Sequence, residues 1–496
     1  MNKNSLTLLA IAVCCMTVPL FAQQPLQRSL LLQVNNVTMD QLAKTGFLLD
    51  DEHPRQTLIS LVRDTALVLA TTAEAEVLRE RGFNFTVVLQ DSHQVQLYRR
   101  ALYGPSFRLS PPYHTYATII SELDSLQRRH PSVLQVLPIG TTSQEKKTIY
   151  AAKISHQSGN DADRPSILFN GCHHANEIMG AEICMAIIQQ LAGRYGTDPD
   201  ITRWVNRFNI YVVPVVNVDG YEIVTSGKDP RWRKNTRDTN GNGILHEFPE
   251  GVDLNRNYDF NWAHGGSGDS TSERYRGPFP FSESETRAMA DLAKRERFLL
   301  SITYHSQGEV IYYPWNWAGH KAPDDKLLTD IARGLAGSIT SMRGDTCYRA
   351  EYGAGLVGQT YPWLYGTLGT FDFVVETGSG ASIFPPYEIP GIVKANLVGA
   401  RYLLAKGEGP GLSGHIRDAQ TGAPIEAELW FPTIDTEEIH RRTSEPQAGR
   451  FWRLLNPGAY SCIISSKGYH AVVLKDLEVE SKGWTNRDVF MQREAP

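Results

Sequence analysis

The chain has 496 residues, of which 41% are hydrophobic and 21% are charged. This composition is typical of a globular protein with enough apolar side chains for large cores, and the length predicts two or three domains rather than one. The net charge is −5, from 49 basic and 54 acidic residues. That balance gives no strongly basic surface of the kind that binds nucleic acid or anionic membranes, so we expect neither partner.

The first 22 residues have the features of a secretory signal peptide. Lys3 precedes an apolar run from Leu6 to Val18 that is too short to span a bilayer, and the small residue Ala22 ends the segment. We therefore predict a signal peptide over residues 1–22 and a secreted or periplasmic protein without a transmembrane anchor. A cytosolic protein with an apolar N-terminal helix is the alternative.

Residues 23–108 predict a small α+β unit. Strand-like segments at 30–34, 65–70 and 85–89 alternate with helix-like segments at 39–46 and 73–82. This order suggests a split βαβ sandwich. The unit contains no cluster of metal ligands or paired acids, so we interpret it as a prosegment or as an accessory domain.

Two stretches rich in Pro and Gly, at 102–112 and 407–411, bound the middle of the chain. Between them, residues 113–407 alternate helix-like and strand-like segments, which predicts an α/β domain around a mostly parallel or mixed sheet. Active groups in such domains gather where strands run out into loops. Residues 411–496 show short strands and turns without helical periodicity, which predicts a small β-sandwich.

Three residues of the middle segment have the types and positions that a zinc site needs. His174 and Glu177 follow a predicted strand and are one helical turn apart, and His305 ends a second predicted strand. A catalytic zinc takes three N or O ligands and keeps one position open for water. The pair alone is a weak signal, and His305 strengthens it. His173 is the rival first ligand, but the third residue after it is Asn176 rather than a carboxylate.

Other polar residues suit the remaining steps of a hydrolysis. Glu376 ends an apolar strand, where a carboxylate can act as general base. Arg233 can stabilise an oxyanion. Asn255 and Arg256 place an amide beside a guanidinium, which suits a planar carboxylate. Taken singly, such a Glu is more often a loop residue and each Arg a surface residue.

Taken together and in order, these motifs resemble those of the zinc carboxypeptidase family, which includes the pancreatic carboxypeptidases A and B. The resemblance runs over most of residues 113–407. It rests on the segments His174–Glu177, Asn217–Gly220, Trp232–Lys234, Gly251–Asn257, Tyr275–Gly277, His305 with Tyr313–Pro314, and Glu376. It implies a central mixed sheet of about eight strands flanked by helices, together with the small α+β unit before it and the β-sandwich after it.

The resemblance also implies the cofactor and the roles of its ligands. One Zn²⁺ would be bound by His174, Glu177 and His305. Glu376 would be the general base that takes a proton from zinc-activated water, and Arg233 would polarise the scissile carbonyl. A non-catalytic surface binding protein is an alternative from another class, but it would need a lost ligand or base, and none is missing.

Substrate binding follows from the same resemblance. Asn255 and Arg256 would hold the terminal carboxylate, which makes such an enzyme an exopeptidase acting on the C-termini of peptides or proteins. Tyr352 is the nearest candidate for the family's mobile tyrosine, although this chain has about two more residues between that position and the base. Asn176 replaces the arginine common in the family. That departure leaves open a hydrolase of γ-D-glutamyl bonds in cell-wall peptides.

The flanking units resemble further parts of the family. Residues 23–108 loosely resemble its prodomains, and residues 411–496 are similar to the transthyretin-like sandwiches that follow some members. Their implied roles are processing for the first unit and a structural or adhesive role for the second. Neither the fate of the N-terminal unit nor the oligomeric state follows from the sequence.

Two smaller expectations concern a second metal and the substrate. Asp238, Asn240 and Asn242, with Gly at the sixth position, have the spacing of a Ca²⁺ loop, but Pro249 stands where a Glu is expected and an ordinary Asn/Gly turn is the alternative.

Near the predicted substrate pocket, Asn316, Thr360 and Tyr361 include no carboxylate. We therefore predict a neutral or aromatic C-terminal residue in the substrate rather than Lys or Arg.

Overall fold

The computed structural model describes residues 30–38, 41–42, 58–101, 113–156, 163–244, 248–353 and 357–495. The predicted signal peptide and most of the predicted helix at 39–46 lie outside these ranges. The described chain forms a small N-terminal sheet with helices, a large mixed sheet with helices, and two C-terminal sheets.

The N-terminal unit is an antiparallel sheet of four strands in the order β2-β3-β1-β4. Its elements are β1 (Leu30–Asn35), β2 (Leu58–Val62), β3 (Thr65–Ala70), α1 (Thr72–Glu80), β4 (Asn84–Leu89) and α2 (Ser92–Ala101). Helix α1 begins with a capping box between Thr71 and Glu74. Its buried Ala75 and Leu78 pack on the sheet and give this unit a core of its own.

The central unit begins at residue 113 and contains most of the helices. Its helices are α3 (Tyr116–Arg129), α4 (Met179–Gly193), α5 (Pro199–Arg207), α6 (Val218–Thr225), α7 (Ser284–Glu296), α8 (Asp325–Ser338), the short α9 (Thr360–Trp363) and α10 (Ile389–Lys406). Helices α5, α6, α8, α9 and α10 were not singled out in the sequence. None of the helices described in the protein combines the length and the hydropathy needed to cross a membrane.

The central sheet has eight strands, as the family resemblance implies. They are β5 (Leu134–Thr141), β6 (Thr148–Ile154), β7 (Ser166–Gly171), β8 (Asn209–Val213), β9 (Leu300–His305), β10 (Val310–Tyr313), β13 (Arg349–Tyr352) and β14 (Phe371–Glu376), while a two-residue hairpin, β11 (Asn316–Trp317) and β12 (His320–Lys321), stands apart. Their order is β13-β10-β14-β9-β7-β8-β6-β5. The four middle strands, β14, β9, β7 and β8, are parallel, and the sheet is mixed because β10, β6 and β5 each join an antiparallel pair. The expectation of a mixed eight-stranded α/β fold is therefore confirmed.

The parallel middle of this sheet positions the predicted site residues. Every residue of β7, β9 and β14 is buried, as expected for strands covered by helices on both faces. Glu376 is in register with His305, and Gly171, the last residue of β7, is in register with Tyr304. The carboxyl ends of three neighbouring strands therefore meet at one edge of the sheet, where parallel sheets present their active groups.

The C-terminal unit is the expected β-sandwich. Its strands are β15 (Gly411–Asp418), β16 (Glu428–Trp430), β17 (Arg442–Thr443), β18 (Arg450–Leu454), β19 (Gly458–Ser465), β20 (Val472–Val479), β21 (Trp484–Asn486) and β22 (Val489–Met491). One sheet joins β18, β15, β21 and β22, and the other has the order β17-β16-β19-β20. Side chains from both sheets, among them Ile416, Phe451 and Ile464, form a separate core.

Candidate active site

The loop between β7 and α4 carries the predicted histidines. Cys172, the first residue after the strand, has φ = 56°, a left-handed conformation that is uncommon for residues other than Gly and turns the chain sharply. The side-chain amide of Asn217 then donates hydrogen bonds to the carbonyl oxygens of His173 (3.2 Å) and Arg233 (3.4 Å). This amide holds two of the segments that build the site.

The structure brings the three predicted metal ligands together. The Nδ1 atom of His174 lies 2.7 Å from Oε1 of Glu177, and the Nδ1 atom of His305 lies 2.8 Å from Oε2 of the same carboxylate. The two Nδ1 atoms are 3.1 Å apart. All three side chains are buried, and their ligand atoms lie within 4.8 Å of one another. Two imidazole nitrogens and a carboxylate at this spacing fit one zinc ion.

His173, the rival ligand, faces a different group. Its Nε2 atom lies 2.8 Å from the hydroxyl of Tyr258, and its ring stacks at 6.0 Å on that of His305. Burial and the neighbouring His305 hold the pKa of His173 well below its usual value. His173 is therefore a neutral imidazole that packs beside the metal group, by which we mean His174, Glu177 and His305.

Asp253 is a site residue that the sequence analysis did not single out. Its carboxylate accepts from Nε2 of His174 at 3.1 Å and from Nη2 of Arg233 at 2.9 Å. Burial alone would raise the pKa of Asp253, but Arg233 and His174 hold it well below the usual range. Such a partner fixes the orientation of a metal-binding imidazole. The signal was the carboxylate within the Gly251–Asn257 motif.

Arg233 contacts Glu177, and Glu376 lies beside His305. The Arg233 guanidinium is buried, and its Nη1 atom lies 3.5 Å from Oε1 of Glu177. Glu376 is fully buried at the end of β14, beside His305 on the neighbouring strand. A cation and a second carboxylate therefore flank the three ligands, as the sequence analysis expected.

Asn255 contacts the second ring nitrogen of His305, and Arg256 follows it in the chain. The Asn255 side-chain amide nitrogen is 3.3 Å from Nε2 of His305, and its oxygen accepts from the backbone N–H of Thr360 at 3.0 Å. Arg256 donates to the carbonyl oxygen of Asn255 at 2.8 Å. Both side chains are buried, and Asn255 directly contacts one of the three proposed ligands.

Tyr352 lies apart from the other predicted residues. It ends β13, the edge strand of the central sheet. Its hydroxyl contacts Lys321 Nζ at 2.9 Å, Asp325 and Thr329 at the start of α8. Among the residues that the structure describes, it makes no hydrogen bond to the metal group, Arg233, Asn255 or Arg256. The structure thus holds this ring against α8.

The predicted Ca²⁺ loop folds as a turn closed by its own side chains. Asp238 accepts from the backbone N–H groups of Gly241 (2.6 Å) and Gly243 (2.9 Å), and these bonds hold the pKa of Asp238 below its usual value. Asn240 and Asn242 accept in the same way from N–H groups two residues on. The oxygens thus already have partners. Calcium binding at this loop stays a prediction.

Comparison with known proteins identifies the family. The sequence pattern of the family described as "Zinc carboxypeptidase" matches residues 119–399. The chain belongs to the zinc carboxypeptidase family. It is 30% identical over 301 residues to mast cell carboxypeptidase A of Rattus norvegicus, covering 59% of this chain and 70% of that relative. It is 27% identical to carboxypeptidase B of Homo sapiens, with 59% and 70% covered.

A solved structure agrees with this assignment at the level of the fold. The crystal structure of carboxypeptidase A from Helicoverpa armigera superposes with a TM-score of 0.56 at 22% identity, covering 77% of this chain and 99% of that one. The chain is accordingly a peptide-bond hydrolase of a zinc-dependent family. The His174, Glu177 and His305 cluster is compatible with the metal that the family uses.

Proposed function

We propose that this protein is a secreted metallocarboxypeptidase that removes the C-terminal residue of peptides or proteins. The observation that carries the proposal is the convergence of His174, Glu177 and His305 with Glu376 beside them and Asn255 within 3.3 Å of His305. The features of residues 1–22 support secretion.

The reaction that we infer divides the work among the chain's own residues. His174, Glu177 and His305 would hold a zinc ion, which would supply Lewis acidity to the site when bound. Glu376 takes a proton from the attacking water and passes it to the leaving amine. Arg233 stabilises the charge that develops on the scissile carbonyl oxygen, since its guanidinium is already desolvated in the site.

Restriction to chain ends comes from the other half of the site. Asn255 and Arg256 offer an amide and a guanidinium from one tight turn, over Leu254–Arg256. A guanidinium and an amide together match the planar geometry of a free carboxylate. A peptide without that carboxylate would lose the contact with Arg256 and Asn255. Tyr352 would have to leave α8 to cover the substrate.

The alternative substrate is the γ-D-glutamyl bond of a cell-wall peptide. Asn176 and the segment after His305 keep this candidate open. The intact Asn255–Arg256 pair favours ordinary peptide C-termini. Comparing hydrolysis of a peptide, of its C-terminal amide and of a γ-D-glutamyl peptide separates the two: loss of cleavage with the amide supports the proposal, and selective cleavage of the γ-linked peptide contradicts it.

The flanking units complete the proposed organisation. We propose that residues 1–22 are a signal peptide, 23–108 a prodomain-like unit, 113–407 the catalytic domain and 411–496 a transthyretin-like domain. The separate cores of the N-terminal and C-terminal sheets support independent units. Bound Ca²⁺ at Asp238, Asn240 and Asn242 is a further proposal, for which equilibrium dialysis against Ca²⁺ is the measurement.

The experiment for the mechanism combines metal content with one substitution. Removing the metal with a chelator should abolish peptide hydrolysis, and Zn²⁺ should restore it. Glu376→Gln should keep the metal but lower kcat by roughly 10²- to 10⁴-fold, the usual contribution of a general base. Glu480→Gln, which removes an exposed carboxylate in the sandwich, is the matched control. Full activity of Glu376→Gln, or of the metal-free protein, contradicts the mechanism.

A further inference from the structure

One short stretch of the chain lies between the proposed substrate-binding residues and the C-terminal sandwich. It consists of α9 (Thr360–Trp363) and a single turn of π-helix that follows it directly (Leu364–Leu368). We call residues 360–368 the bridging turn. Turns of π-helix are rare and often occur at functional sites. The side chains of this segment have no part in the proposed mechanism, so its function needs a separate explanation.

The inner side of the bridging turn contacts the segment that carries Asn255. The backbone N–H of Thr360 donates to the side-chain oxygen of Asn255 at 3.0 Å. Further along that segment, the ring of Phe260 packs directly on Gly366 and leaves no space there for a Cβ atom. The position of the Asn255 side chain therefore depends on the position of the bridging turn.

The outer side of the bridging turn contacts the C-terminal sandwich. The backbone N–H of His440 donates to the carbonyl oxygen of Gly366 at 2.8 Å. The guanidinium of Arg442 lies over the ring of Tyr365, 5.3 Å from its centroid, which is a favourable cation–π distance. The same guanidinium fills the space beside Gly369, directly after the turn. Two nearby residues of the sandwich thus hold the turn from outside.

A buried carboxylate of the central domain supports the same contact. The Tyr365 hydroxyl donates to a side-chain oxygen of Asp324 at 2.8 Å and accepts from the Asp324 backbone N–H at 3.0 Å. Arg442 donates to the same oxygen of Asp324 at 3.0 Å. Because Tyr365 and Asp324 are both buried, removing one partner of this group is costly. The support of the bridging turn therefore includes a charged side chain of the sandwich.

The inner and outer contacts meet at Gly366. The side on which a Cβ atom would lie faces the Phe260 ring, and the carbonyl oxygen accepts from His440. Close-packed interiors transmit small displacements rather than absorb them. A displacement of about 1 Å in a group that positions the substrate can cost roughly 100-fold in rate. A change at the sandwich contact is therefore expected to reach Asn255.

We propose that the C-terminal sandwich is part of the substrate-binding apparatus, because His440 and Arg442 hold the bridging turn that keeps Asn255 in place for the terminal carboxylate of the substrate. Arg442 is a positioning residue, since it acts on the substrate through the turn and Asn255. The inference rests on the proposed carboxypeptidase function. It gives the sandwich a role in substrate binding, beyond the structural or adhesive role that its resemblance implies.

The test compares Arg442→Gln with the wild type, both as zinc-loaded full chains acting on one peptide with a free C-terminal carboxylate. Gln removes the cation that contacts Tyr365 and Asp324. KM should rise about 10-fold while kcat changes less than about 3-fold, because a weaker hold on the carboxylate affects the bound substrate and the transition state alike. Zinc content should equal that of the wild type.

Arg441→Gln is the matched control. Arg441 is the neighbouring residue, but it contacts Glu437 at 3.0 Å and the ring of Trp430 at 3.6 Å, both within the sandwich. This variant should keep the KM of the wild type. An unchanged KM in Arg442→Gln, or an equal rise in both variants, overturns the inference.

A second variant decides the question if Arg442→Gln does not fold. Tyr365→Phe removes the hydroxyl that ties the turn to Asp324 and keeps the buried ring. KM should rise by about 3-fold or more with kcat nearly unchanged, and an unchanged KM contradicts the proposal. A wild type that releases no C-terminal residue overturns the carboxypeptidase function itself. An active wild type with unaltered KM values in the variants overturns only the role of the sandwich.

Discussion

At the scale of single residues, the site depends on a carboxylate that binds neither metal nor substrate in the proposed scheme. Asp253 contacts His174 on one side and Arg233 on the other. It therefore orients a proposed zinc ligand and also keeps a buried guanidinium in place for the scissile carbonyl. One side chain links metal affinity to transition-state stabilisation.

This arrangement predicts a double effect of Asp253→Asn. The amide keeps the shape but removes the charge, so we expect zinc affinity to fall roughly 10- to 100-fold, as when other outer partners of ligands are changed. Activity at saturating zinc should also fall, because Arg233 loses its partner. Competition with a chelator of known affinity measures the first effect, and kcat at excess zinc measures the second.

Asp219→Asn is the matched control. Asp219 is also a buried carboxylate, but its partners are the hydroxyls of Thr142 and Thr236 and the N–H of Glu145 rather than the predicted site residues. It should leave zinc affinity unchanged whatever it does to stability. Equal losses of zinc affinity in both variants would show that the effect of Asp253→Asn is a general consequence of disturbing the interior.

The sequence was sufficient to predict site residues that end strands. It was not sufficient to predict residues whose role depends on a contact with a residue far along the chain. His305 and Glu376 end apolar strands, and parallel neighbours bring such ends together. Asp253 acts through His174, which lies 79 residues away in the chain. Residue type alone does not reveal such pairs, because strand register and loop path decide them.

At the scale of elements, the junction of β7 with α4 decides where His174 and Glu177 lie. Gly171 at the strand end and Gly180 in the first turn of the helix approach so closely that a Cβ on Gly171 would lie 2.8 Å from the carbonyl carbon of Gly180. The loop that carries His174 and Glu177 lies between these two closely packed glycines. Helix and strand therefore cannot separate without moving the site.

Gly171→Ala should accordingly be destabilising. The new methyl group meets backbone atoms, which yield less easily than side chains, so we expect a loss of roughly 1–3 kcal/mol in the free energy of unfolding. Zinc content should fall as well, because the neighbouring loop must shift. Denaturant unfolding and metal analysis check the two effects.

Gly193→Ala on the same helix provides the comparison. Gly193 is the exposed last residue of α4, and no atom lies within 4 Å of a Cβ placed there. The same substitution should be neutral or stabilising by up to about 1 kcal/mol, through lower entropy of the unfolded chain. Similar losses in both variants would contradict the close-approach argument.

Elements with strong periodicity were predicted well, and elements without a chemical motif were missed. Helix α3 and strand β6 are marked in the sequence by the cap at Thr115 and by alternating apolar residues, respectively. Helix α8 carries no site residue and was passed over. Its amphipathic pattern was nevertheless present, with Leu328, Ile331 and Leu335 buried on one face.

At the scale of the whole molecule, buried charges join the C-terminal sandwich to the central domain. Arg453 on β18 contacts Asp324 at 3.0 Å and Asp435 at 2.9 Å. Arg442 also contacts Asp324 at 3.0 Å, and the Tyr365 hydroxyl donates to it at 2.8 Å. Asp324 precedes α8 in the central domain, so one carboxylate ties both arginines of the sandwich to it.

Arg453→Met should therefore destabilise the whole protein rather than the sandwich alone. The substitution removes the arginine that contacts the buried Asp435 and leaves Asp324 with Arg442 alone. Breaking a buried ion pair by removing one partner costs roughly 3–5 kcal/mol. Thermal unfolding followed by calorimetry should show a lower transition or two separate ones. Lys475→Met removes an exposed cation of the same sandwich and should change the transition little.

A double-mutant cycle distinguishes loss of the pair from a general disturbance of the interface. In the Asp324→Asn background the central carboxylate is already replaced by a neutral amide. Arg453→Met then leaves fewer buried charges without a partner than it does in the wild type. Its cost should therefore be smaller in that background than in the wild type, with a coupling energy of about 1–3 kcal/mol for residues in one network. Additive costs would mean that the two side chains act independently. In that case the apolar contacts of the interface, rather than this ion pair, would hold the sandwich on the central domain.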